Sequence, residues 1–246
     1  MTKLLTDKHA VIYGGGGAIG GAVARKFAEE GAVVHVAGRT REPIERVAAD
    51  TGGTFTVLDA GDEAAVEQHL AGLPRVDVMF NLASRGDVQG RPLSELSVDE
   101  VMRPLEGLRI QLVTARAAAR RMIDQGSGVI LWLTSASATG AAPGMGGTGP
   151  ADAAIDNYMR QLARETGGQG LRVCGIWTAG VYETFEGGRH SMTPDDIDRM
   201  IGGLSALGRS PRIAEVADAA AFLASDRASG TTGTVLNVTA GLVSER

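Results

Sequence analysis

Two stretches of this sequence carry residues whose types and spacing could do chemistry. The first, "AVIYGGGGAIGGAVARKFAEEGAVVHVAGRT", places Gly14, Gly16 and Gly17 in a run that leads through Ala18 and Ile19 to Gly20. Glycines between a strand and a helix let the backbone approach a pyrophosphate closely, and the helix start offers free N–H groups and a positive dipole end. That is dinucleotide chemistry. The following strand ends "VAGRT". A free ribose 2′-hydroxyl is held there by a carboxylate, whereas a 2′-phosphate needs room and a cation. Gly38 gives the room and Arg39 the cation, with Thr40 a further donor and Arg41 a second cation, so NADP(H) is favoured over NAD(H). The second stretch, "GMGGTGPADAAIDNYMRQLARE" at 144–165, starts with glycines and a proline and puts Asp152 near the start of an apolar-periodic segment. Asp152 reads either as a group with chemistry or as a helix-start acid stabilised by the dipole. Tyr158 lies further in, among Ile155, Met159 and Leu162, and reads as packing.

The elements that must position these residues follow from apolar patterning. Strand-length runs recur at 9–14, 32–38, 54–59, 76–83, 128–135, 171–178 and 233–239, and helical periodicity fills 18–30, 41–50, 63–72, 98–124, 151–166 and 213–225. Strand and helix in alternation predict an α/β fold: a Rossmann-type doubly wound parallel sheet of about seven strands with helices on both faces. No linker interrupts the order, so residues 1–246 are expected to form one domain. The longest irregular stretch is 179–210. Within it Thr193-Pro194-Asp195-Asp196 reads as an N-cap, a first-turn proline and first-turn acids. Such an insertion beside the carboxyl ends of the strands suits a substrate lid, here 182–208, with Tyr182 and His190 as candidates to face substrate.

Composition narrows the partners. A net charge of −5 over 246 residues, with scattered rather than clustered Lys and Arg, gives no footprint for nucleic acid or an anionic membrane and points to a small-molecule partner. The one cysteine, Cys174, excludes an internal disulfide and, inside a strand pattern, reads as an inert core thiol. His9, His35 and His69 have no partners at metal spacing, so they read as structural and no metal is expected. The start "MTKLLTDKHAVIYGGGG" has no long apolar segment, and "GVILWL" at 128–133 is too short to span a bilayer; a cytoplasmic location is expected.

With these residues in view, the chain resembles the short-chain dehydrogenase/reductase family over nearly its whole length. "YGGGGAIG" is similar to the family's Thr-Gly-x-x-x-Gly-Ile-Gly turn, with Tyr13 and Ala18 as departures. "LDAGD", with Asp59 and Ala60, resembles the segment against the adenine ring. "NLAS" resembles the end of the family's fourth strand, keeping Asn81 and Ala83. "EVADAAAFLASDRASGTTGTVLNVTAG" resembles its last helix and strand. The resemblance implies a nicotinamide cofactor, with Thr184 near the nicotinamide amide although "WTAGVYET" replaces the family's Pro-Gly by Thr178 and Ala179. It also implies association into a dimer or tetramer through helices 98–124 and 151–166, where Ala115, Ala117, Ala118, Ala119, Ala153 and Ala154 allow close approach.

The same resemblance identifies the reaction residues and their oddity. Ser135 falls on the family's substrate-binding serine, with Ser137 a possible substitute. Thr148 and Asp152 stand where the family has a tyrosine acid and, four residues on, a lysine. Gly107 or Glu106 takes the place of its helix asparagine. Threonine is a far weaker acid than tyrosine, and a carboxylate nearby raises a hydroxyl's pKa rather than lowering it. The tyrosine mechanism therefore does not carry over; Asp152 can still accept hydrogen bonds from the nicotinamide ribose. Three readings stand: an NADP(H)-dependent reductase of a small carbonyl, enone or imine-like substrate; a non-redox isomerase, dehydratase or cyclase using Asp152, His190 or Tyr182; and a non-catalytic NADP-binding subunit paired with an active homologue.

Overall fold

The computed structural model describes residues 3–83, 86, 89–140, 143–188 and 192–243. Seven parallel strands form one sheet: β1 (His9–Tyr13), β2 (Val33–Gly38), β3 (Thr54–Val57), β4 (Val78–Asn81), β5 (Gly128–Ser135), β6 (Leu171–Thr178) and β7 (Val235–Val238). They lie in the order β3-β2-β1-β4-β5-β6-β7. The order reverses between β1 and β4, and in open α/β sheets that switch point leaves a crevice at the carboxyl ends of the strands.

Seven α-helices connect the strands: α1 (Ala18–Glu29), α2 (Arg41–Thr51), α3 (Glu63–Ala71), α4 (Val98–Gln125), α5 (Thr148–Thr166), α6 (Pro194–Gly202) and α7 (Ile213–Ala224). Alternation along each strand divides the core in two. Ile12 and Leu131 join Phe27 of α1, Val47 of α2 and Ala220 of α7, while Tyr13, Ile130 and Trp132 join Leu70 of α3, Met122 of α4 and Met159 of α5. Both faces are thus covered, which is why the strands read as nearly continuous apolar runs.

Several boundaries differ from the periodicity. The edge strand β3 stops at Val57, and β4 and β7 are four residues each, because pairing ends before the apolar pattern does. α5 begins at Thr148 rather than 151, with Pro150 inside its first turn, where a missing N–H costs no intrahelical bond. Gly147 precedes it against α4: a Cβ there would lie 1.8 Å from the Val101 carbonyl oxygen. α4 continues through Pro104 as one helix from a Ser97–Glu100 capping box. In the 179–210 stretch, a 3₁₀ segment at Tyr182–Gly188 and α6 are both present, and the Thr193 hydroxyl caps α6 by accepting the Asp196 N–H at 3.2 Å.

Candidate active site

At the carboxyl ends of β1 and β2 lies a pocket of about 310 Å³ lined by Gly14, Gly16, Gly17, Arg39, Thr40, Asp59, Ala60 and Ala83. α1 enters it from Gly17 with no side-chain cap and no acid in its first turn, so its free N–H groups remain available to an anion. Gly14 has φ +75°, and a Cβ on it would lie 2.4 Å from the Leu82 carbonyl oxygen; one on Gly20 would lie 2.4 Å from the Gly14 oxygen. These glycines let the turn close against β4 and α1. Gly20 and Ile19 therefore support the turn from behind, Ile19 by packing on the core, and neither lines the pocket. Asn81 also supports it: its amide donates to Thr114 Oγ1 at 2.6 Å and its oxygen accepts the Ala83 N–H at 2.9 Å. Asp59 accepts the Gly61 N–H at 2.9 Å, which holds its loop at the rim. The two cation candidates separate. Arg39 lines the pocket, while the Arg41 guanidinium lies 5.1 Å from the centre of the Phe55 ring and 3.8 Å from Glu45. Free N–H groups with a cation at the rim make this arrangement fit a dinucleotide.

The second group of residues meets where β5 ends and α5 starts. Asp152 is fully buried, and its Oδ2 accepts the Ser135 N–H at 2.8 Å and the Ser135 hydroxyl at 2.6 Å. The Ser137 hydroxyl donates to the same oxygen at 3.4 Å and touches the Ser135 hydroxyl. Ser135, Ser137 and Asp152 are therefore one cluster. Asp152 turns inward onto β5 as a carboxylate engaged with serine. Thr148 belongs to the same helix start, which closes on residues 136–138 so tightly that a Cβ at Gly149 would lie 2.9 Å from the Ser137 carbonyl oxygen. Thr148 is 1% exposed, and its hydroxyl finds no hydrogen-bond partner among the described residues; nor does that of Thr178, the register neighbour of Ser135 on β6.

One turn further along α5 lies a group that the sequence reading missed. Asp156, also buried, accepts the Thr134 hydroxyl at 2.8 Å and the Trp177 indole N–H at 2.6 Å. Its signal was its spacing of four from Asp152, which places both carboxylates on one helix face. Thr134 and Trp177 are register partners on β5 and β6.

The lid candidates are not brought to this cluster. The Tyr182 hydroxyl donates to Asp195 at 3.0 Å, its ring lies under the Arg212 guanidinium at 4.3 Å, and the bond to Asp195 raises its pKa. Thr184 donates to the Val181 carbonyl at 2.7 Å. Asp198 of α6 accepts Arg212 at 2.8 Å and the Ser210 hydroxyl at 2.6 Å, and these bonds hold its carboxyl well below the usual range. His190 lies outside the described residues.

The histidines read as structural pair with neighbours inside the sheet: His9 Nδ1 and His35 Nε2 lie 3.0 Å apart across β1 and β2, and His35 Nδ1 is 2.7 Å from Thr54 Oγ1. Sequence spacing hides such a cross-strand pair. Burial, with repulsion from His9 and His69, pushes His35 down to about 4. Tyr13 is buried with its hydroxyl 3.2 Å from His69 Nδ1, and burial raises its pKa. Cys174 is buried, and its thiol is pushed up to about 11 by that burial. Among the described residues there is no group of three or more His, Cys, Asp or Glu placed to hold a metal, and no helix is long and apolar enough to cross a membrane.

Comparison with known proteins places this geometry. Residues 16–243 match the enoyl-(acyl carrier protein) reductase family. Meso-2,3-butanediol dehydrogenase of Serratia marcescens is 33% identical over 96% of this chain and 94% of its own. (+)-cis,cis-Nepetalactol synthase of Nepeta racemosa is 29% identical over 99% of this chain and 94% of its own. The crystal structure of NAD+-bound xylitol dehydrogenase superposes with a TM-score of 0.85 at 25% identity, covering 96% of this chain and 99% of that one.

Proposed function

The chain belongs to the short-chain dehydrogenase/reductase family, and from that membership we propose that it is an NADP(H)-dependent oxidoreductase acting on a small carbonyl, enone or imine-like substrate through an atypical active site. The observation that carries the reading is the pocket in which the glycine turn meets Arg39 and Thr40. Xylitol dehydrogenase is NAD+-bound. In this chain the cation at the end of β2 favours a 2′-phosphate instead.

Gly14, Gly16 and Gly17 with the start of α1 would hold the pyrophosphate, Arg39 and Thr40 the 2′-phosphate, and Asp59 and Ala60 the adenine side. When bound, the cofactor gives or takes a hydride. The chain's own residues orient the substrate: Ser135 and Ser137 present hydroxyls at the end of β5, and Thr148 adds a buried hydroxyl with no partner among the described residues. Segment 182–208 serves as the lid of a single domain spanning 1–246. The enzyme is a cytoplasmic homo-oligomer, a dimer or tetramer joined through α4 and α5.

Titration with NADPH and NADH tests the cofactor: NADPH should bind at least about ten-fold tighter, a difference of roughly 1.4 kcal/mol. An equal or reversed preference overturns the NADP(H) assignment. A panel of ketones, enones and cyclic imines should then draw down NADPH absorbance with at least one member.

A second reading, proton transfer without net redox, is favoured by the relative that is a nepetalactol synthase and by the carboxylate in the lysine position. Turnover of a substrate with the cofactor's oxidation state unchanged would select it.

A further inference from the structure

The loss of the tyrosine and lysine leaves a question of proton supply, and the cluster at the end of β5 answers it. Asp152 is fully buried, while Ser135 and Ser137 are only half-buried, so the two serines are the cluster's solvent-reachable members. The Ser135 N–H and hydroxyl both point at Asp152 Oδ2, at 2.8 and 2.6 Å, which fixes the carboxylate's orientation from the backbone. An ionised carboxylate only accepts, and a serine hydroxyl has one proton to give. With that proton directed at Asp152, the Ser135 oxygen offers only lone pairs elsewhere. Ser137 reaches both partners and can turn aside from Ser135 towards Oδ2.

We infer that Asp152 acts through Ser135 as the site's proton store, which makes Ser135 the acceptor of a proton from a substrate hydroxyl. The inference rests on the NADP(H)-dependent reading above and adds a proton path to it. In oxidation the substrate O–H bond breaks and its proton bonds to Ser135 Oγ, while the original Ser135 proton bonds to Asp152 Oδ2. The substrate C–H bond breaks with its electron pair, and that hydride goes to the oxidised nicotinamide; the alcohol carbon becomes a carbonyl. In reduction the Asp152 carboxylic acid returns its proton through Ser135 to the carbonyl oxygen. Asp152 is thus a positioning residue with a proton to hold, and Ser135 is the group that touches substrate.

The test uses the full chain with aspartate labelled with ¹³C at the side-chain carboxyl. The resonance missing from Asp152→Asn belongs to Asp152, and its titration midpoint should move by about half a pH unit or more in Ser135→Ala, as expected when a hydrogen bond to the charged form is removed. With NADP+ and a panel of secondary alcohols, the wild-type rate should rise with pH along that same midpoint. Asp152→Asn should be slower by about 100-fold or more with a flat pH profile, the scale of a lost general base. Its NADPH affinity should stay within about two-fold, since the pocket residues are untouched. An unmoved midpoint in Ser135→Ala overturns the relay, as does an Asp152→Asn rate within about three-fold of wild type. Binding of NADPH with no secondary alcohol oxidised overturns Ser135 as the acceptor of a substrate proton and leaves the cofactor reading intact. Failure to bind NADPH overturns the cofactor reading, and the resonance then judges the relay by itself.

Discussion

Between β1 and β2 the molecule holds backbone N–H groups and an arginine open to a ligand; between β5 and β6 it turns its polar groups on one another. The glycine turn has no capping side chain and Arg39 faces a pocket, so that half is complete only with an anion in place. At the other half two buried carboxylates on α5 collect donors from the ends of β5 and β6: Ser135 and Ser137 on Asp152, Thr134 and Trp177 on Asp156. Such a cluster is preorganised before any substrate arrives, because each buried charge would be costly without its donors. Damage to the first half should therefore appear in binding, and damage to the second in stability and proton transfer.

The largest expected effects would break that division if they fell on the wrong side. Gly14→Ala adds a Cβ 2.4 Å from the Leu82 carbonyl at φ +75°, so the turn must move. NADPH affinity should fall by about 100-fold or more, as measured by fluorescence titration. Affinity within about three-fold of wild type would remove the turn from the site. Asp156→Ala strands the Trp177 N–H and the Thr134 hydroxyl in the interior. Urea unfolding should show a loss of about 3 kcal/mol or more, the scale of breaking a buried charged hydrogen-bond group. Its NADPH affinity should remain near wild type. A stable Asp156→Ala would mean that the reaction half does not depend on its carboxylates.

The same contrast explains what the sequence made legible. The nucleotide half is encoded locally: glycine, strand and helix are consecutive, and Gly38-Arg39-Thr40 follows directly on β2. Sheet and helix order were legible for the same reason, since each element's period is a property of adjacent residues. The reaction half is encoded across distance. Asp152 and Ser135 are separated by 17 positions, and Asp156 and Trp177 by 21. Nothing local distinguishes a helix-start acid stabilised by the dipole from one turned onto a strand end. Asp152 could be singled out only because a lysine was expected there, and no such expectation pointed to Asp156. The His9–His35 contact was hidden likewise, because it depends on the stagger of β1 against β2 rather than on spacing.

A smaller effect places acid sensitivity beneath the nucleotide half. His35 sits on β2 with His9 and Thr54 as neighbours, and its pKa in the folded chain is about 4 against an ordinary 6.5. The unfolded chain therefore takes up the proton first as pH falls, so stability declines from about pH 6.5 and levels off near the folded value, where the native state also protonates. The full loss should be on the order of 3 kcal/mol, and it should begin above the range where the carboxylates titrate. Thermal melts between about pH 7 and 5 should show the decline in wild type and a shallower one in His35→Asn. Equal slopes would shift the sensitivity to the half-buried His69, whose pKa desolvation also lowers.

The finest discrimination lies within the nucleotide half, between two arginines two residues apart. Arg39 lines the pocket, and removing it takes a cation away from the 2′-phosphate while leaving the glycine turn intact. Arg39→Ala should weaken NADPH by about ten-fold and leave NADH unchanged, as expected for one charge-assisted contact. Arg41 carries the same charge on the first residue of α2, but its guanidinium is engaged over Phe55 and towards Glu45. Arg41→Ala should change NADPH affinity by less than about two-fold, because a screened, exposed charge contributes little at a distance. If the two variants weakened NADPH equally, net charge rather than the placement of Arg39 would be setting the preference. If Arg39→Ala weakened NADPH and NADH alike, Arg39 would be holding the shared pyrophosphate, and the basis for preferring NADP(H) would be gone.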